Sequence, residues 1–142
     1  MLLNPINLNN RLFFGIKPMR TGASARELIK YIDTCALCGF EKIPKTERTF
    51  DHFLPTSKGG KTEFKNGLIT CCFCNSILKT DMRPLEFFKA FPQTEKNLVR
   101  YLKHPEIKKI IIPKKRKNDS KQSYVKAFKN YAEQLLGRPL KD

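Results

Sequence analysis

The 142-residue chain is short of acid, with 13 Asp and Glu against 28 Lys and Arg, and it has no cysteine outside positions 35–74. No apolar run approaches the roughly 20 residues needed to cross a bilayer. Its first residues, Met1-Leu2-Leu3-Asn4-Pro5, carry no basic n-region and no long apolar stretch, so no secretory leader is expected. Glycine numbers only seven and no internal repeat is visible. These shortages exclude a helical membrane protein, a collagen-like fibre and a secreted disulfide miniprotein, and make the cytoplasm the expected compartment. What remains, 40% hydrophobic content with 11 Phe and 4 Tyr, is enough to build a core at this length.

The formal charge is +15. A surplus of this size favours a polyanionic partner, because each Lys or Arg that neutralises a phosphate releases counterions. Nucleic acid ranks ahead of an anionic membrane surface. The charge is uneven: net +3 over residues 1–34, +3 over 35–80 and +9 over 81–142. That division predicts three segments: an N-terminal arm and helix (1–34), a central unit that does the chemistry (35–80) and a basic helical extension that grips (81–142).

The cysteines organise the centre. Cys35-Ala-Leu-Cys38 and Cys71-Cys72-Phe-Cys74 are two pairs with metal-ligand spacing. Four thiolates from two such knuckles suit tetrahedral Zn²⁺, and Gly39 follows the first pair where a knuckle must turn tightly. Two disulfides would conflict with the missing leader, and a redox pair would not need a second copy. Cys72 is left over as a small side chain beside the cluster.

Between the pairs lies Phe50-Asp51-His52-Phe53-Leu54-Pro55-Thr56-Ser57-Lys58-Gly59-Gly60. Arg48 to Leu54 reads as a strand ended by Pro55 and a Gly-Gly loop. Asn66 follows His52 by 14 residues, and Asn75 directly follows Cys74. In this order and spacing the segment resembles the HNH endonuclease family, in the version whose ββα-metal finger is braced by a zinc knuckle pair. The matching pattern is Cys-x2-Cys, Asp51-His52-x2-Pro55-x-Ser57-x-Gly59-Gly60, Asn66, then Cys-x2-Cys-Asn75-x3-Lys79, over about residues 35–80. The resemblance implies that His52 is the general base, that Asp51 and Asn75 hold one divalent ion, Mg²⁺ or Mn²⁺, and that Asn66 holds the loop beside the catalytic strand. It also implies DNA as the substrate, ahead of RNA.

Elementary chemistry is compatible with those roles. A neutral imidazole titrates near pH 7, which suits a base, and a carboxylate with an amide oxygen is a hard ligand set. One difficulty is evident: consecutive residues of a regular strand point to opposite faces, so Asp51 and His52 should not reach one phosphate without a twist, a bulge or a metal geometry that bridges to the substrate.

The flanks read as helices. Ser24 and Glu27 have capping-box spacing ahead of an apolar face of Ala25, Leu28, Ile29 and Ile32. Pro84 opens a segment expected to bury Leu85, Phe88 and Phe91, and a second short helix carries Leu98, Tyr101 and Leu102. Ile110 to Ile112 is too short to assign. A last helix, ending at Leu136 before Gly137, has the stripe Tyr124, Phe128, Tyr131 and Leu135. Lys79, Lys58 and the cluster Lys114, Lys115, Arg116 and Lys117 are the candidate phosphate contacts. The expectation is therefore an α+β protein: a small zinc-braced, treble-clef-like ββα-metal finger flanked by helices, acting as an endonuclease. The rival is a non-catalytic zinc-finger module that binds nucleic acid without cutting.

Overall fold

A computed structural model describes residues 17–19, 23–78 and 81–142. The N-terminal basic residues Arg11 and Arg20, and Lys79, lie outside the described residues. The fold mixes helices with two small sheets. Strand β1 (Lys17–Pro18) pairs in parallel with β4 (Ile110–Ile112), which pairs antiparallel with β5 (Gln122–Ser123). Strands β2 (Arg48–His52) and β3 (Gly67–Cys71) form an antiparallel pair whose register runs unbroken from Arg48 opposite Cys71 to His52 opposite Gly67. Among the described residues four α-helices follow: α1 (Pro84–Ala90), α2 (Gln93–Lys103), α3 (Pro105–Lys108) and α4 (Tyr124–Leu136).

Local signals account for most boundaries. Ser24 opens a 3-10 turn over Ala25–Lys30, where its N–H donates to Glu27 Oε2 at 3.0 Å. Ala25, Leu28 and Ile32 are buried, as the spacing predicts. At α4 the Ser123 hydroxyl accepts the Lys126 N–H, and Gly137 ends the helix with φ +72°. His104 caps α3, its Nδ1 accepting the Glu106 N–H at 3.2 Å. No helix among the described residues is long and apolar enough to cross a membrane.

Three details correct the sequence reading. Strand β2 stops at His52, not Leu54, because the chain bends over Phe53 and Leu54. In α1 the inward residues are Phe87 and Phe88, while Leu85 is 48% exposed. In α4 the buried face is Tyr124, Ala127, Phe128, Ala132 and Leu136, so Tyr131 and Leu135 sit at its margin. Phe53 packs against both Phe88 and Phe128, so these two expected core residues hold α1 and α4 against the turn after β2.

The helices also close an open edge. On the side of β3 away from β2, Tyr101 Oη accepts the Ile69 N–H at 3.2 Å and lies 2.9 Å from Tyr124 Oη. Tyr124 O–H in turn donates to the Gly67 carbonyl at 2.7 Å, so the Tyr101 proton points to Tyr124. The Ala36 N–H donates to the Ile69 carbonyl at 2.9 Å on the same edge. Burial drives both phenols upward in pKa, so they stay protonated and the chain of bonds is intact at neutral pH. An edge strand satisfied by two phenols and a backbone N–H from three other segments is covered against pairing with another chain.

Candidate functional site

The same contacts bring the two cysteine pairs together. Ala36 is clipped to Ile69 of β3, and α2 holds the following turn, with Asn97 Nδ2 donating to the Leu37 carbonyl at 2.8 Å. Gly39 takes φ +79°, the left-handed region its place after the knuckle requires. As a result the sulfurs of Cys35, Cys38, Cys71 and Cys74 lie within 4.8 Å of one another. Cys38 Sγ and Cys71 Sγ are 3.9 Å apart, close to the about 3.8 Å edge of a tetrahedron with 2.3 Å zinc–sulfur bonds. All five cysteines are free thiols, and Cys72 is exposed outside the cage. The four-cysteine cluster is thus a candidate zinc centre. Within it the Cys74 thiol hydrogen-bonds Cys35 and lowers the Cys35 pKa to about 5, whereas burial raises Cys38 to about 11. The same contact pushes Cys74 well up. Protons are shared unequally in the cage, and a bound cation would displace them.

A second site lies at the end of β2. Asp51, His52, Pro55, Thr56, Asn75, Ser76 and Asp81 line one cleft of about 320 Å³. The β2–β3 ladder carries no bulge. Asp51 and His52 meet because the cleft is built round the strand's last residue, with walls from the loop after it and from the helical turn Cys74–Leu78. Asp51 is buried and His52 half-buried. The His52 ring stands edge-on to Phe50, the residue two before it, at 5.2 Å between centroids. Its Nε2 lies 2.8 Å from Thr62 Oγ1.

Asn66 governs the loop between these residues. Fully buried, it accepts the Leu54 N–H at Oδ1 (2.8 Å) and donates from Nδ2 to the carbonyls of Leu54 (3.1 Å) and Lys61 (2.9 Å). Its own carbonyl accepts the Phe53 N–H. Gly60 passes so close to this crossing that a Cβ there would fall 1.7 Å from the Leu54 carbonyl oxygen. The Gly-Gly pair is therefore needed for closeness at its second member.

The structure brings Asp51, His52 and Asn75 to one cleft and puts Asn66 behind it. Lys58 is exposed on the 3-10 turn Thr56–Lys58, and Lys114, Lys115, Arg116 and Lys117 are exposed beyond β4, outside the cleft. Two neighbours had no signal in the sequence: Thr62, one hydroxyl in a polar loop, and Asp81, one acid past the end of the motif.

The sequence model of the family described as HNH endonuclease matches residues 35–89, which bears out the resemblance. That stretch takes in both cysteine pairs, the β2–β3 hairpin and every residue of the cleft. No curated protein and no solved structure matches the chain.

Proposed function

We propose that this chain is a metal-dependent endonuclease that hydrolyses phosphodiester bonds in DNA, built on a zinc-braced ββα-metal finger. The observation that carries the reading is the convergence of Asp51, His52 and Asn75 on one cleft within the stretch that matches HNH endonucleases. Cys35, Cys38, Cys71 and Cys74 hold Zn²⁺ and fix the finger's shape.

The Asp51 carboxylate and the Asn75 amide oxygen would hold Mg²⁺ or Mn²⁺. They are hard donors and leave room in the cleft for phosphate and water, which suits an ion that seldom accepts a full protein cage. When bound, the ion would supply charge relief at the phosphate and the leaving oxygen. His52 takes a proton from the attacking water. With Nε2 against the Thr62 hydroxyl, Nδ1 is assigned that proton. Asn66 is a positioning residue that sets the backbone on which His52 and the loop sit. Lys79 contacts the phosphate backbone near the scissile bond, while Lys58, Lys114, Lys115, Arg116 and Lys117 contact further phosphates; together they account for part of the +15 charge.

The test is supercoiled plasmid incubated with the purified chain and Mg²⁺, Mn²⁺ or EDTA, alongside His52→Ala. Cleavage that needs a divalent ion and disappears in the variant is the expected result. Cleavage surviving in EDTA, or in His52→Ala, removes this mechanism. Plasmid that is shifted in a gel but never cut replaces it with a binding module.

A further inference from the structure

We propose that one strand of the DNA leaves the His52 cleft over Thr62 and runs along a concave track to the basic loop between β4 and β5. The proposal rests on the nuclease reading for its starting point, since that reading puts a phosphate beside His52.

Two concavities share walls, and one hydrogen-bond contact ties the His52 cleft to them. Thr62, whose hydroxyl is 2.8 Å from His52 Nε2, is also a wall of a larger cleft of about 590 Å³. That cleft shares Ile112, Lys115 and Gln122 with a hollow of about 460 Å³ in the following loop. The His52–Thr62 contact therefore ties the first cleft to the second, and Ile112, Lys115 and Gln122 are walls common to the second and the third.

The lining matches a nucleotide strand. Gln122, Asn130 and Gln134 offer amides that both donate and accept, as base edges require. Lys65 Nζ sits 4.8 Å over the Tyr131 ring, which fixes a cation at the cleft wall. Lys114, Lys115 and Lys121 extend the positive lining into the hollow, against single carboxylates from Glu63 and Asp119. The larger volume falls within the about 300–1,000 Å³ of ligand clefts, too small to enclose a duplex. A few nucleotides of one strand fit this chemistry. The displaced face of α4 gains a purpose as well: Tyr131 lies at the margin of the buried stripe because it faces this cleft.

The experiment uses the full chain carrying His52→Ala, so that DNA is bound and not consumed. Fluorescein-labelled duplexes either end bluntly or carry a single-stranded arm of increasing length on the 5′ or the 3′ side. Lys115→Gln and Asn130→Ala are exposed changes, and Lys108→Gln, which lines a different hollow, is the control. The arm on one side should tighten binding, and Lys115→Gln should weaken that arm-bearing DNA about fourfold at 0.15 M salt. It should also lower the salt slope by about 0.7, the value for one single-strand phosphate contact. Asn130→Ala should weaken the same arm, while blunt DNA and the control remain as in the parent. Equal loss on blunt and armed DNA, or no loss on either, overturns the track. Plasmid cleavage by the unmodified chain separates the two readings. Plasmid cut without arm dependence removes the track alone. Plasmid uncut with arm dependence intact removes the nuclease reading and supports the track.

Discussion

Tyr124 donates its hydroxyl proton to the carbonyl of Gly67 at 2.7 Å, and Gly67 is the residue paired with His52 across the β2–β3 ladder. A residue of the last helix thus holds the outer edge of β3, the strand paired with the one that carries the candidate base. The basic extension is a structural part of the site, besides any hold it has on a polyanion. Tyr124→Phe keeps the ring packing but leaves the Gly67 carbonyl and the Tyr101 hydroxyl each short of a partner. The expected loss is about 1–3 kcal/mol, seen as a drop of several degrees in Tm. An unchanged melting curve would show that the phenol chain does not support the sheet.

Asn66 makes a sharper prediction, because its side chain reads the loop backbone three times. Asn66→Ala removes all three bonds; Asn66→Asp keeps the acceptor for Leu54 N–H but turns a carboxylate on two carbonyls. Both variants should lose about 2–4 kcal/mol of stability. Cleavage, measured where the variant is still folded, should fall about a hundredfold or more, the effect expected when a reacting group is misplaced by about an ångström. A variant that is less stable yet cuts at the parental rate would make Asn66 a purely structural residue.

The cysteine cage predicts one tightly held zinc per chain. Cys74→Ser should lower the zinc content and the Tm together, since a buried sulfur of the cage is replaced by a poorer ligand. A strong chelator should unfold the β2–β3 region in the parent chain, followed by circular dichroism. Cys72→Ser, outside the cage, is the internal control and should do neither. Metal-free protein that melts at the parental temperature would overturn the assignment.

Asp81 was not anticipated, and its effect can be separated from that of Asp51. It is exposed at the rim of the cleft, where a negative charge would concentrate divalent cations without holding one directly. Asp81→Asn should raise the Mg²⁺ concentration needed for half-maximal cleavage severalfold and leave the rate at saturating Mg²⁺ unchanged. A lower rate at saturation would instead make it a ligand, and an unchanged Mg²⁺ titration would make it a bystander.

Spacing made the chemistry legible and left the supports unread. Cys35 and Cys38, Cys71 and Cys74 announce themselves by interval, and so do Asp51, His52, Asn66 and Asn75, because ligands and loop anchors must recur at fixed distances along the chain. Periodicity placed the end of the last helix at Leu136 before Gly137 but left its start open between Asp119 and Ser123, and the structure selects Ser123 as the cap. Periodicity misjudged α1, where Leu85 and Phe87 fit a helical face equally well and only the packing of the folded chain, which buries Phe87 and leaves Leu85 exposed, decides between them. The parity conflict between Asp51 and His52 dissolved for a reason no pattern carries: the cleft straddles a strand end. Thr62 and the two phenols were invisible because each acts across a long gap, 10 residues from Thr62 to His52 and 57 from Tyr124 to Gly67, through a single contact that no interval encodes.

The C-terminus supplies an acid-side prediction. Burial pushes the Glu95 carboxyl up, but the two-pronged contact from Arg138 (2.8 and 3.0 Å) and the Lys141 N–H (2.8 Å) outweigh it and hold Glu95 below its usual value. A carboxyl whose folded pKa is lowered stabilises the fold above its unfolded pKa of about 4.3, and that contribution disappears as pH falls through the folded value. At neutral pH Glu95→Gln should therefore melt lower than the parent, by an amount equivalent to about 1–3 kcal/mol. The gap should close below about pH 4. Acid also protonates the cysteine cage, but it does so in both proteins, so the difference between the two melting profiles isolates Glu95. A gap that persists undiminished at pH 3 would assign the loss to packing rather than to charge.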